Sequence, residues 1–207
     1  MTTVFYLSHP QVTIDPSVPV PEWGLSAVGR ARLLAVREAA WLGTCRRIVT
    51  SAERKAMETA DLIAEATGAV VEVQPAMHEN DRSATGFLPP TEFELVADRF
   101  FAEPDRSVRG WERAMDAQTR IVAEVEAVLA DHDPNAPLLL VGHGAVGTLL
   151  YCRLAGVAID RRFDQRQGGS VIAIDQATRR PRHGWTPMEA MAARLDAGRK
   201  GAPDACA

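Results

Sequence analysis

Two histidines stand directly after short apolar runs. His9 follows Val4-Phe5-Tyr6-Leu7-Ser8, and His143 follows Leu138-Leu139-Leu140-Val141 between Gly142 and Gly144. Arg54 lies just past a third such run, Arg47-Ile48-Val49-Thr50, and Glu79 comes shortly after a fourth, Val70-Val71-Glu72-Val73. Two imidazoles, a guanidinium and a carboxyl group gathered on one rim suit phosphoryl transfer. A transferring phosphoryl group spreads charge over its equatorial oxygens and needs fixed positive donors. Arginine offers those oxygens a planar fork. The glycines around His143 let the backbone come close to a ligand, and a helix opening after Gly144 adds N–H groups and a positive dipole end.

Those residues need a frame that brings them together. The four runs read as strands, the first and the Leu-rich one buried, and Ser170–Asp175 as a fifth, paired through a turn at 176–181 with a last strand near 182–186. Pro16, Pro19 and Pro21 keep the segment after His9 out of a helix. Helices are expected from an N-cap at Ser26 through about Leu42, from 53 to 66 with Gly68 as the stop, near 91–102, from 111 to 130, and from 145 to 154. Strands alternating with helices predict a three-layer α/β/α sandwich with a mostly parallel central sheet. In such a sheet ligands bind outside the carboxyl ends of the strands, where these side chains fall. Residues 1–197 read as one domain, with 83–110 as an inserted cap and 198–207 as a loose tail.

Thr50-Ser51-Ala52-Glu53-Arg54-Lys55-Ala56-Met57-Glu58-Thr59-Ala60 resembles the S-x-x-x-R-x-x-x-T-A element of the histidine phosphatases, the phosphoglycerate-mutase-like superfamily. Gly24-Leu25-Ser26-Ala27-Val28-Gly29-Arg30 resembles the segment that opens their first helix. Val141-Gly142-His143-Gly144 resembles their second-histidine element, and Met77-His78-Glu79 falls where they carry an acid. The resemblance implies a phosphoglycerate-mutase-like fold and a metal-independent phosphomonoester hydrolase. In that scheme His9 forms a phosphohistidine, Glu79 protonates the leaving alcohol, and Arg54 and His143 clamp the phosphoryl oxygens beside Gly144. It implies neither a metal nor an organic cofactor, and a small phosphorylated substrate as the partner.

The sequence departs from that pattern at its first motif, where the family has R-H-G and this chain has Ser8-His9-Pro10. Losing one well-placed donor to the transition state costs about 10²–10³ in rate. Arg82, in the loop after Glu79, is the candidate to replace the missing arginine, with Ser8 itself as a second phosphate contact. Asp81 competes with Glu79 for the role of acid, and His78 and His132 read as surface residues. A second R-H-G string, Arg182-His183-Gly184, has too little chain after it for the rest of the machinery.

Three other readings follow from the same residues. One is an inactive family member that binds a phosphorylated ligand or a protein partner. Another is a phosphoglycerate-type mutase, against which the acidic residues of the cap, Glu92, Glu94, Asp98, Glu103 and Asp105, argue. The third is a dinucleotide-binding protein, because residues 142–147 satisfy G-x-G-x-x-G, with Asp160 or Asp164 as the ribose acid.

The bulk numbers exclude more than they select. With 207 residues, 46% hydrophobic, 24% charged and a net charge of −4, the chain reads as a globular protein without general attraction to nucleic acid or anionic membrane. Three cysteines without metal-ligand spacing suit a reducing compartment, and no signal segment opens the sequence, so the expected location is cytoplasmic. The oligomeric state is not written in the sequence; Leu149, Leu150 and Tyr151 read as core.

Overall fold

The computed structural model describes residues 2–191. Met1 and residues 192–207 lie outside the described residues, and with them the segment 198–207 read as a tail. The chain forms β1 (Thr3–Ser8), α1 (Ala27–Val36), α2 (Ala40–Gly43), β2 (Arg47–Thr50), α3 (Arg54–Thr67), β3 (Val70–Val73), α4 (Pro90–Ala102), α5 (Ala114–Ala130), β4 (Leu138–Gly142), α6 (Gly144–Ala155), β5 (Ser170–Asp175) and β6 (Thr186–Pro187). Six strands make one sheet in the order β3-β2-β4-β1-β5-β6. β3, β2, β4 and β1 run parallel, β5 is antiparallel to β1, and β6 is antiparallel to β5.

The central strands are apolar on both faces because both faces are covered. Val4, Tyr6, Val49, Leu138, Leu140, Ile172 and Ile174 pack under α4, α5 and α6. Phe5, Leu7, Ile48, Leu139, Val141, Val171 and Ala173 pack under α1, α2 and α3. The layers are therefore α/β/α. Leu149 and Leu150 are buried within the chain.

Two details differ from the sequence reading. The first helix breaks after Val36, and the chain re-enters as α2 so that Trp41 turns inward against Phe5, ring to ring at 4.9 Å. The last strand is shorter and later than expected. Pro181 makes an isolated bridge with Ile174, and only Thr186–Pro187 pairs with β5. Proline has no N–H to donate, which limits a ladder here. Phe100, Phe101 and Trp111 belong to the main core under the sheet.

α6 lies close on the sheet because Gly147 has no side chain. A Cβ there would stand 2.5 Å from the Tyr6 ring and 2.7 Å from Trp185. Gly147→Ala should lower stability by about 1–3 kcal/mol through overpacking. The urea midpoint measures it, and an unchanged midpoint would contradict this packing.

The register aligns the strand ends that matter. Ser8 pairs with Gly142 and Thr50 with Val141. The next residues in each case, His9, His143 and Ser51, therefore leave the sheet side by side at its carboxyl edge.

Candidate active site

The loop carrying His9 is held from both sides. Its N–H donates to the Gly142 carbonyl at 3.0 Å, and its carbonyl accepts from Gly169 N–H at 3.0 Å. Arg32 adds a strap, reaching Gln11 Oε1 at 2.9 Å and the Gly168 carbonyl at 2.8 Å. The His9 Nδ1 lies 2.8 Å from the Pro10 carbonyl. A carbonyl can only accept, so the neutral ring carries its proton on Nδ1 and its lone pair on Nε2. Burial brings the ring's pKa down to about 4, against the raising effect of the Pro10 hydrogen bond and with the help of the Lys55 and Arg82 charges. Near neutral pH the ring is uncharged.

His143 is fully buried, with its ring centroid 5.3 Å from that of His9. Its Nε2 lies 2.7 Å from Ser51 Oγ and 3.6 Å from the Glu53 carboxylate. Burial lowers its pKa to about 4 although Glu53 and Glu79 act the other way. The Tyr6 hydroxyl fixes its backbone, accepting from the His143 N–H at 3.1 Å and donating to its carbonyl at 3.3 Å. Its Nδ1 is buried without a hydrogen-bond partner among the described residues.

Glu79 reaches the opening turn of α6. Its carboxylate accepts the N–H groups of Ala145 at 3.3 Å and Val146 at 3.1 Å. Donors expected to be free for a ligand are thus already taken, as a carboxylate at a helix N-terminus should take them. Arg120 holds the Glu79 loop by donating to the carbonyls of Ala76 at 2.7 Å and His78 at 3.0 Å. Asp81 points away to the exposed Ser83 N–H at 2.8 Å. Of the two competing carboxylates, the fold brings Glu79 to the histidines.

Arg54 does not join them. It is the first residue of α3, its side chain is 61% exposed, and it pairs with Glu58 one turn on at 2.8 Å. Lys55 is the basic residue that turns inward, at 3% exposure. It shares the inward stripe of α3 with Thr59 and Ile63, a four-residue spacing that the helix phase dictates. Counted from Ser51, the S-x-x-x-R spacing also falls on Lys55. The Lys55 ammonium donates to the Val20 carbonyl at 2.8 Å and forms a tight buried ion pair with Glu53. Burial pushes the Glu53 carboxyl up, but His143, Lys55 and the Glu79 N–H outweigh it and hold the group well below the ordinary range.

Ser8 is fully buried, and its Oγ donates to Gln165 Oε1 at 2.5 Å and accepts from Ser170 N–H at 3.1 Å. Gln165 also fills the space beside Gly144, where a Cβ would stand 2.3 Å from its Nε2. An arginine in place of Ser8 would meet this side chain. Ser8→Arg should therefore cost about 1–3 kcal/mol without raising activity, and adding Gln165→Ala should recover part of that loss. Denaturation midpoints of the two variants are the measurement; a fully stable, more active single variant would refute the packing argument.

Arg82 lies over the rings of Phe93 and Trp111, 5.1 and 5.6 Å from their centroids, and has no carboxylate partner among the described residues. It lines a cavity of about 560 Å³ together with His9, Glu79, Gly144 and Gln165. The remaining histidines stand elsewhere. His78 and His183 each hold a neighbouring carbonyl, at 2.6 and 2.7 Å, and His132 holds that of Ala136. The glycines of 142–147 make room for Tyr6, Gln165 and Trp185, not for a dinucleotide. Asp164 accepts from Thr148 Oγ1 at 2.7 Å, and Asp160 caps a short turn. Tyr6, Ser51, Glu53, Lys55, Arg120 and Gln165 were not legible as site residues; only Lys55 carried a signal, its count from Ser51.

Paired imidazoles at the carboxyl edge of an α/β/α sheet, one opening on a cavity shared with an arginine and a carboxylate, define an enzyme that handles phosphoryl groups. Residues 18–185 match the family model of the histidine phosphatase superfamily, branch 1, and the chain belongs to that family, a phosphatase-type enzyme. The match begins downstream of Ser8-His9-Pro10. The fold is similar to that of the mycobacterial glucosyl-3-phosphoglycerate phosphatase, with 21% identity, a TM-score of 0.75, and coverage of 90% of this chain and 99% of that one. The same mycobacterial protein solved with inorganic phosphate gives 21% identity, a TM-score of 0.75, and coverage of 91% and 99%. YhfR of Bacillus stearothermophilus gives 21% identity, a TM-score of 0.70, and coverage of 84% and 91%. No curated protein matches the chain in sequence. Among the described residues no helix is long and apolar enough to cross a membrane.

Proposed function

We propose that this protein hydrolyses a small phosphomonoester, without a metal, through a phosphohistidine on Nε2 of His9. The observation that carries the reading is the Nδ1 hydrogen bond to Pro10, which leaves Nε2 as the nucleophilic nitrogen of a ring lining the cavity. The Nε2 lone pair attacks phosphorus as the P–O bond to the alcohol breaks, and protonated Glu79 gives its proton to the leaving oxygen. Glu79, now a carboxylate, takes a proton from water as that water attacks the phosphohistidine. Orthophosphate leaves and His9 is restored. Arg82 and His143 supply the positive and donor character that the phosphoryl oxygens need, while Lys55 is held by Glu53.

Hydrolysis is favoured over mutase chemistry by the state of the cap arginines. Arg99 and Arg106 pair with Glu103, and Arg109 pairs with Glu92. None of them remains to hold the second phosphate of a bisphosphorylated intermediate. Binding of a phosphorylated ligand without turnover is the second reading, favoured by the uncharged Ser8 and by the neutralisation of Lys55. The test is an aryl phosphate offered in the presence of a chelator, with samples quenched in acid and in base. An acid-labile, base-stable phosphoenzyme that is missing in His9→Ala supports hydrolysis. No phosphoenzyme and no turnover across a panel of esters would leave the binding reading in its place.

A further inference from the structure

Glu53 brings a carboxylate to the groups that an incoming phosphoryl anion needs. Its Oε1 accepts the Glu79 N–H at 2.8 Å and lies 3.6 Å from Nε2 of His143. Its Oε2 pairs with the Lys55 ammonium. A backbone donor, an imidazole and an ammonium are three of the groups that bind phosphate in proteins. Here one internal carboxylate engages all three, in a setting where Glu53 is 8% and Lys55 3% exposed. No other lysine or arginine among the described residues is buried. Ser8 carries no charge, and Arg54 is turned outward to Glu58. The cluster's inward-facing ammonium is thus already committed.

We propose that the Glu53 carboxylate is an internal stand-in for the phosphoryl group, and that by holding Lys55 it sets how tightly the site binds phosphate. The inference rests on the phosphoryl-handling reading of the site, but it concerns anion affinity rather than the chemical step. A phosphate entering beside His9 has two routes. It displaces Glu53 from Lys55, or it settles beside a carboxylate that repels it in a water-poor environment where like charges interact strongly. Either route weakens binding. Glu53 is then an affinity-setting residue whose removal is a gain for the site, the opposite of what a merely structural ion pair would give.

The experiment is a calorimetric titration of inorganic phosphate into the full chain, wild type against Glu53→Gln, Glu53→Asp and the double variant Glu53→Gln with Lys55→Met. Glu53→Gln should bind phosphate at least about tenfold more tightly than wild type. Glu53→Asp keeps the charge on an arm one methylene shorter and should fall between the two. The double variant, having lost the freed ammonium, should return to the wild-type affinity or below it. Circular dichroism melting confirms that each variant is folded; if an unpaired Lys55 unfolds the Gln variant, the Asp variant carries the comparison. Equal or weaker phosphate binding by a folded Gln or Asp variant overturns the proposal. Turnover is followed in parallel. Tighter phosphate binding without His9-dependent turnover keeps this inference and removes the hydrolase reading. Turnover with unchanged phosphate affinity in the variants does the reverse.

Discussion

His9→Ala should lower the hydrolysis of an aryl phosphate by at least about three orders of magnitude, the usual scale for removing a nucleophile whose partners remain in place. The loss should fall on kcat, because the variant keeps Arg82, Glu79 and the rest of the cavity wall. The rate of the wild-type protein should also have an unusual acid limb. His9 is brought down to about 4 by burial, so its lone pair stays available well below the ordinary imidazole range. The rate attributable to a neutral His9 should therefore hold from neutrality to about pH 5 and fall as the ring protonates near 4. A steady-state pH profile, read together with the variant, tests both statements. A limb near pH 6.5 would mean that His9 is solvated like a free histidine, and residual turnover within tenfold of wild type would exclude it as nucleophile.

Acid should also destabilise the fold itself. Burial lowers both His9 and His143 from 6.5 to about 4. Between those values the unfolded chain binds protons that the folded chain refuses, so stability falls as the pH falls. The full value is present above pH 6.5, declines toward pH 4, and levels off below that point as far as the rings are concerned. At the limit each ring contributes about 3 kcal/mol, and the two face each other, so their contributions do not simply add. Glu53, held low by His143 and Lys55 despite its burial, adds a further loss at the acid end as it protonates. Urea midpoints at pH 7.5 and pH 4.5 measure the effect, and His143→Asn should flatten the difference. Equal midpoints at the two pH values would show that the rings are not buried as described.

The strands that carry the histidines were legible because they are continuous apolar runs, which need no partner to be recognised. Leu138 to Val141 and Val4 to Leu7 are buried on both faces, and the histidine after each emerges at the sheet's carboxyl edge. Glu79 was legible as a position but not as a choice. Its preference over Asp81 comes from the opening turn of α6, 66 residues further on, whose N–H groups donate to the Glu79 carboxylate. Arg54 was misread for a local reason. Adjacent residues on a helix point about 100° apart, so a one-residue error in phase exchanges an inward lysine for an outward arginine.

The sequence by itself determined five of the strands, the chain order of the elements, and the two histidines that follow their strands, since continuous apolar runs and turn chemistry are local properties. The tertiary structure alone decided the charge of the site. Gln165 meets Ser8 across 157 residues, and Arg120 secures the Glu79 loop from a helix 41 or more residues away. Whether Lys55 serves a phosphate or a neighbouring carboxylate likewise depends on how α3 sits against the strand ends. Contacts of that kind leave no periodic trace along a chain. They arise when packing removes water from a few polar groups, and each group must then take the nearest partner of opposite character.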